Sequence, residues 1–224
     1  MNEFTLVIGN KNYSSWSWRP WLALKRTGAP FNEVLIHLDD PDKAAKIGAH
    51  SPTGKVPVLE HGAVKVWESL AICEYLADLF PGAKLWPEDR APRAHARAVA
   101  TEMHAGFGSL RAALSMNLHG RSNRPRDKSN LSSEVWADVE RIVFLWDDCR
   151  RRFGRGGPFL FGDFTIADAM YAPVVGRFRT YRVPLPPSAQ AYCDAVWAWP
   201  AVQEWVAAAK DEPRIPRYDV FLAA

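Results

Sequence analysis

The strongest constraint on the fold is a change of pattern near residue 80. Before it, short β-rich runs alternate with stretches of helical spacing; beyond a proline-rich segment at Pro81–Pro92, the chain reads as helix almost throughout. Alternation builds a sheet covered by helices, whereas sustained helical periodicity buries helix against helix. The sequence therefore predicts two domains, residues 1–81 and 93–224, with PGAKLWPEDRAP as the linker.

In the first half, Thr5–Gly9 (TLVIG) is a β-rich run closed by glycine, and Asn32–Leu38 (NEVLIHL) is a second strand. Between them, Trp18–Arg26 carries apolar residues at 18, 21, 22 and 24, helical spacing that ends before a capping Gly28. Pro20 is tolerated only early in a helix, so this helix is expected to begin close to Trp16–Trp18. Asp42–His50 is a weak helix. Val56–Glu60 and Val64–Trp67 flank His61-Gly62 as a hairpin, and Ser69–Phe80 is a helix with Ser69 as its N-cap. The order is β-α-β-α-β-β-α. In the second half, helices are expected at Ala94–Leu118, Ser132–Phe153, Ile166–Arg179, Ser188–Trp197 and Ala201–Lys210, followed by an irregular tail, DEPRIPRYDVFLAA.

Composition narrows the class. A chain of 224 residues with 48% hydrophobic and 24% charged residues is globular, not disordered. A net charge of +3 is too weak to argue for nucleic acid, and the basic runs Arg121–Lys128 and Arg150–Arg155 read as solvated loops. No apolar run approaches the ~20 residues of a membrane span. The opening Met1-Asn2-Glu3-Phe4 lacks the pattern of a secretory signal. Three separated cysteines, Cys73, Cys149 and Cys193, fit reduced thiols in a cytoplasm better than a disulfide or zinc framework. His95, Glu102 and His104 do not form a metal motif, so no metal is expected. Gly154–Gly157 (GRGG) has no preceding strand and reads as a turn, not as a phosphate loop. Ten tryptophans require large aromatic surfaces, in core or in pocket.

Three segments carry chemistry. Asn12–Pro20 (NYSSWSWRP) places hydroxyls at 14, 15 and 17 where a strand hands over to a helix. Unsatisfied N–H groups and partial positive charge at a helix N-terminus stabilise an anion, and a serine there can donate to a thiolate and lower its pKa. The same serines also suit simple helix capping. Val56-Pro57 opens a strand after a glycine-containing loop, a candidate cis bond that turns the main chain of Val56 outward to pair with an extended peptide. Glu68-Ser69 at a helix start offers a carboxylate for an ammonium group and a hydroxyl and N–H for a carboxylate, a receptor for an amino-acid head group.

A thiol site, an extended-peptide ledge and an amino-acid receptor are together the needs of glutathione, γ-Glu-Cys-Gly. The run Ser14-Ser15-x-Ser17-Trp18-Arg19, then Ser51-Pro52…Lys55-Val56-Pro57, then Glu68-Ser69-Leu70-Ala71-Ile72…Glu74-Tyr75-Leu76 resembles the cytosolic glutathione transferases of the serine type, zeta above all. Gly162-Asp163-Phe164-Thr165-Ile166-Ala167-Asp168 is similar to the family's buried capping box. The resemblance implies a thioredoxin-like α/β N-terminal domain, an all-α C-terminal domain, glutathione as co-substrate, a small-molecule electrophile as partner, a cytoplasmic detoxification role and a homodimer. By position it implies Ser14 as the catalytic serine with Ser15 next in line, and Ser14, Lys55, Val56, Glu68 and Ser69 as the glutathione-binding set. Trp16 stands where the zeta pattern has cysteine, and Pro20-Trp21 where it has Val-Arg. These departures set the glutathione-dependent isomerisation of maleylpyruvate or maleylacetoacetate behind thiol transfer to an electrophile or peroxide. A non-catalytic interaction protein is a third reading.

The second substrate is expected between the serine loop and the first long helix, against Met103, His104, Phe107, Leu110, Arg111, Met116 and Asn117. Residues 103, 107, 110 and 111 fall on one helical face. The apolar members serve equally well as core, and Arg111 suits either an acidic substrate or a structural ion pair.

Overall fold

The computed structural model describes residues 3–223, so the outermost residues of the two expected domains, 1, 2 and 224, lie outside it. Residues 4–79 form β1 (Phe4–Gly9), α1 (Ser15–Thr27), β2 (Phe31–Ile36), α2 (Lys43–Gly48), β3 (Val58–His61), β4 (Val64–Trp67) and α3 (Ser69–Leu79). The sheet order is β2-β1-β3-β4, with β1 and β2 parallel and the other pairs antiparallel. Period-2 alternation along β1 separates two cores. Phe4, Leu6 and Ile8 join the main core, which α1 and α3 share, while Val7 faces the smaller cluster of Ile36, Ile47 and Val58. This thioredoxin-like unit matches the order read from the sequence.

The second half is helical: α4 (Arg90–Ala105), α5 (Gly108–Ala113), α6 (Ser133–Phe153), α7 (Ile166–Tyr181), α8 (Pro187–Ala198), α9 (Pro200–Ala209) and α10 (Pro216–Ala223). Among the described residues, no helix is long and apolar enough to cross a membrane. The central helix α7 is buried almost from end to end and packs on α1, α4 and α8. Gly176 permits this approach, because a Cβ there would lie 2.8 Å from Leu118 and 3.4 Å from Trp18. The capping box forms as expected. Asp168 accepts from Thr165 N (2.8 Å), Thr165 Oγ1 (3.1 Å), Leu160 N (3.1 Å) and the Tyr192 hydroxyl (3.1 Å). Burial pushes its carboxyl up to about 6, and the four donors oppose that push.

Three expectations need correction. The helix expected at 94–118 breaks at Gly106-Phe107: Phe107 adopts φ 59°, and a Cβ on Gly106 would meet the Glu102 carbonyl oxygen at 2.8 Å. The shared helical face proposed for residues 103, 107, 110 and 111 therefore does not exist. The tail is not irregular but ends in α10, whose first residue is Pro216. Finally, α1 begins at Ser15, so Pro20 lies inside it. A proline there cannot donate to the Trp16 carbonyl four residues earlier, and the Ser69 hydroxyl of α3 takes that place at 2.7 Å.

The tryptophans divide as their environments dictate. Trp18, Trp21, Trp146 and Trp205 are fully buried, Trp67 is exposed, and Trp16 lines a cavity.

Candidate functional site

Two helix N-termini and one loop converge. The α1 N-terminus carries Ser14, α3 begins at Ser69, and the loop before β3 carries Val56-Pro57, whose peptide bond is cis. Trp16 from the first turn of α1 lines a cavity of about 220 Å³ together with Thr53, Lys55, Val56, Pro57, Glu68, Ser69 and His104, and Ser14 lies outside that lining. Larger clefts lie elsewhere. The one between the linker and α6 is about 430 Å³, and four of its charges pair with one another, Arg155 with Asp89 and Lys84 with Glu88.

Ser14 and Ser15 sit side by side in different networks. Ser14 is the N-cap of α1: its Oγ accepts from Ser17 N–H and lies 2.7 Å from Ser17 Oγ, which accepts in turn from Gly9 N–H at 3.1 Å. Ser15 Oγ instead accepts from the Arg177 guanidinium at 3.3 Å. Both serines are largely buried, at 7% and 6% exposure, and Ser17 is completely so. Each hydroxyl is oriented by its neighbours before any ligand arrives.

At α3, Glu68 adopts φ 67°, which separates its side chain from the helix it precedes and leaves it half exposed, 3.8 Å from His104 Nε2. Burial lowers the pKa of His104, with Arg19 and Arg111 adding to the effect and Glu68 opposing it. The imidazole is therefore neutral at neutral pH and does not compete for Glu68 as a cation.

Around Trp16 the structure gathers three guanidinium groups. Arg19 lies 4.1 Å and Arg111 5.3 Å from the Trp16 ring centre. Arg177 reaches Ser15 and donates to the carbonyls of Leu114 and Arg111. Arg19 donates through Nε to the Met170 carbonyl, while its buried Nη1 has no partner among the described residues. No carboxylate pairs with any of the three among those residues. Burial first, then Arg177 and Arg111, lowers Arg19 to about 9; burial lowers Arg177 to about 10. Both remain charged at neutral pH, so the site is cationic.

Of the residues expected at the second-substrate pocket, only His104 and Arg111 are gathered around Trp16. Met103 and Leu110 are fully buried in the helical core, Phe107 and Met116 nearly so, and Asn117 is buried where it accepts from Asn12 Nδ2. Sequence reasoning missed Arg19 and Arg177 as site residues. For Arg177 a signal existed, an arginine between Gly176 and Phe178 directly after the apolar run Tyr171–Val175. Cys73, Cys149 and Cys193 are buried, and burial raises all three thiols, the latter two to about 12, so none of them is a thiolate at neutral pH.

Comparison with known proteins identifies the family of both halves. The glutathione S-transferase N-terminal domain matches residues 13–79, and the glutathione S-transferase C-terminal domain matches residues 93–208. Glutathione S-transferase L3 of Arabidopsis thaliana is 28% identical over 84% of this chain and 71% of its own length. A probable maleylacetoacetate isomerase of Caenorhabditis elegans is 26% identical over 78% of this chain and 79% of its own. Among solved structures, a glutathione transferase homologue from Burkholderia gl BGR1 with bound glutathione superposes with a TM-score of 0.72 at 26% identity, covering 94% of this chain and 100% of that one. A bacterial zeta-class maleyl pyruvate isomerase has the same fold, with a TM-score of 0.71 at 22% identity over 94% of this chain and 100% of that one. With both halves matched by the family's two domains, in order and on either side of the linker, the chain belongs to the glutathione S-transferase family.

Proposed function

We propose that the protein binds glutathione in the cavity between α1, α3 and the Val56-Pro57 loop, ionises its thiol at the α1 N-terminus, and delivers the thiolate to a small electrophile or peroxide. The observation that carries this is a single cavity lined by Val56, Glu68 and Ser69 and bounded by Trp16 in the first turn of α1, the turn that Ser14 caps. The N–H groups at the start of α3, with Ser69, receive the γ-glutamyl carboxylate, and Glu68 receives its ammonium. The main chain of Val56 pairs with the cysteinyl residue as an added strand, with Lys55 beside it. This places the thiol over the first turn of α1, where the helix dipole and a hydroxyl from Ser14, or from Ser15, favour the thiolate. The thiolate attacks the electrophilic carbon or peroxide oxygen, and the leaving group departs with the bonding electrons. The buried bonds of both serines, Ser14 as N-cap and Ser15 to Arg177, also support a purely structural role for them, which the substitutions argued below separate from catalysis.

One observation favours a second reading, isomerisation of the zeta type, in which the thiolate adds to a conjugated acid and then leaves. The cationic surroundings of Trp16, with Arg19, Arg111 and Arg177 free of carboxylates among the described residues, suit an anionic substrate. Turnover of a chlorinated aromatic, an organic peroxide and maleylpyruvate, each with glutathione, decides between the readings. Activity with none of the three, despite glutathione binding, would favour a non-catalytic role. The proposal includes a homodimer, to which the exposed Val64 and Trp67 on β4 and Phe144 on α6 offer apolar surface. A monomer mass in light scattering at micromolar concentration would refute that part.

A further inference from the structure

The loop that presents Ser14, Asn10 to Tyr13, is held mainly by residues some two hundred positions away. Glu212, just after α9, accepts from Lys11 N–H at 2.7 Å through Oε1 and from Asn12 N–H at 2.9 Å through Oε2. Trp205 of α9 donates its indole N–H to the Lys11 carbonyl at 2.8 Å. The Tyr13 hydroxyl accepts from Ile215 N–H at 3.0 Å, and its ring stacks on Tyr218 of α10 with centroids 5.0 Å apart. Asn12 is fixed on its other side by Asn117 and by the main chain of His119. The N-terminal half contributes the turn itself, in which Tyr13 and Ser14 N–H both donate to the Asn10 carbonyl, and holds its start through Leu38 N–H, which donates to Asn10 Oδ1 at 2.7 Å, and through the Lys11–Glu33 pair at 2.6 Å.

We propose that Glu212 is a positioning residue for thiol activation: by clamping two consecutive main-chain amides it fixes the turn that sets Ser14 at the head of α1. The physical reason lies in the acceptor. A charged carboxylate accepting two N–H bonds is roughly twice as strong per bond as a neutral acceptor, and both of its oxygens are engaged. The clamped amides belong to residues two and three positions before Ser14, so a shift there moves the hydroxyl directly. Small displacements of a catalytic group are costly, about 100-fold in rate for 1 Å. The receptor for the γ-glutamyl end, at Glu68 and Ser69, stands on α3 and makes none of these contacts. Loss of the clamp should therefore separate activation from binding.

This inference rests on the proposed role of Ser14, and the test separates the two. Thiolate absorbance against pH is measured at saturating glutathione on wild type, Ser14→Ala and Glu212→Gln, with glutathione affinity by calorimetry and kcat and KM for one electrophile. Glutamine keeps one acceptor but turns an amide N–H toward the other clamped amide. Glu212→Gln is expected to raise the pKa of the bound thiol and to lower kcat near neutral pH by roughly tenfold, with glutathione affinity changed less than about twofold. Glu212→Asp, which keeps the charge on a shorter arm, should fall between; it also serves if the glutamine variant does not fold. Glu204→Gln, which breaks only the surface pair with Lys25, should behave as wild type. If Ser14→Ala shifts the thiol pKa and neither Glu212 variant does, the positioning role is wrong while the reading of Ser14 stands. If Ser14→Ala causes no shift, both fall. A parallel loss of glutathione affinity and kcat in the Glu212 variants would mean that the clamp merely holds the fold together.

Discussion

The hydroxyl of Ser69 donates to the main-chain carbonyl of Trp16 across 2.7 Å, joining the N-terminus of α3 to the first turn of α1. The carbonyl is available because Pro20, four residues on, has no N–H to give it. The same hydroxyl is a proposed donor to the γ-glutamyl carboxylate. Ser69→Ala should weaken glutathione binding by about 1.5–3 kcal/mol, roughly 10- to 100-fold. Pro20→Ala restores a helical donor to Trp16 and releases Ser69, so glutathione should bind at least as tightly as in wild type. Calorimetry on both variants checks this; equal weakening would show that Ser69 acts only through the Trp16 carbonyl.

Ser14 and Ser15 are distinguishable by their partners, Ser17 for one and Arg177 for the other. If Ser14 donates to the thiolate, Ser14→Ala should raise the bound thiol pKa and cost about 1–3 kcal/mol in the transition state, or about 10- to 100-fold in rate near neutral pH. Binding should change little, and residual activity should remain from the α1 N–H groups. A shift confined to Ser15→Ala would move the role by one residue. No shift in either variant would leave the backbone as the sole activator.

His104 predicts a pH dependence of binding. Its pKa is lowered by burial below the usual imidazole value of 6.5, so it is neutral at pH 7. As pH falls through this depressed pKa the ring gains a proton 3.8 Å from Glu68 and pairs with the carboxylate that should hold the glutathione ammonium. Glutathione affinity should thus decline on acidification below the usual imidazole value of 6.5, and His104→Gln should flatten that decline. Identical calorimetric profiles from pH 5 to 7.5 in the two proteins would refute the coupling.

The N-terminal fold was legible because its signals are local: alternation along β1, the His61-Gly62 hairpin, and the helix from Ser69, although its N-cap is Glu68 and not Ser69, whose hydroxyl goes to the Trp16 carbonyl instead. Local rules failed where the satisfying partner is distant. Pro20 was read as marking a helix start, but tolerance of an interior proline came from a hydroxyl 53 positions from Trp16. The tail was read as irregular because its prolines dominate locally, while its order comes from Glu212, Ile215 and Tyr218 reaching the serine loop. The cationic character of the site was half legible. Arg111 stood out, but Arg19 and Arg177 lay within helices whose apolar faces concealed which way they point.

Asp168 should be intolerant of even isosteric change. Four donors converge on its carboxylate, a main-chain N–H and a hydroxyl on each oxygen, so asparagine in either orientation would turn its amide N–H toward a main-chain N–H that can only donate. Asp168→Asn should destabilise the fold by about 3 kcal/mol or more at neutral pH, visible as a lowered urea midpoint. Thr165→Ala, which removes one donor and keeps the acceptor, should cost about 1 kcal/mol. Equal midpoints for Asp168→Asn and wild type would show that the buried box carries no stability.

Arg111 decides whether the second substrate is acidic. It is half-buried, its guanidinium lies 5.3 Å from the Trp16 ring centre, and no carboxylate pairs with it among the described residues. A structural ion pair is thereby removed as its explanation, leaving stacking on Trp16 or reception of an anion. The two make opposite forecasts. If it receives an anion, Arg111→Gln should raise KM for maleylpyruvate by about tenfold or more, the loss of one charge-assisted contact. Turnover of a neutral chlorinated aromatic should then be nearly unchanged. If it only braces Trp16, both substrates should lose activity together, and Arg111→Lys should rescue neither, because lysine lacks the planar group that stacks. Rescue of the acidic substrate alone by Arg111→Lys would assign the role to charge. Steady-state kinetics on the two substrates with three proteins separates these outcomes, and an unchanged KM for the acid in Arg111→Gln would sink the anionic-substrate reading at this residue.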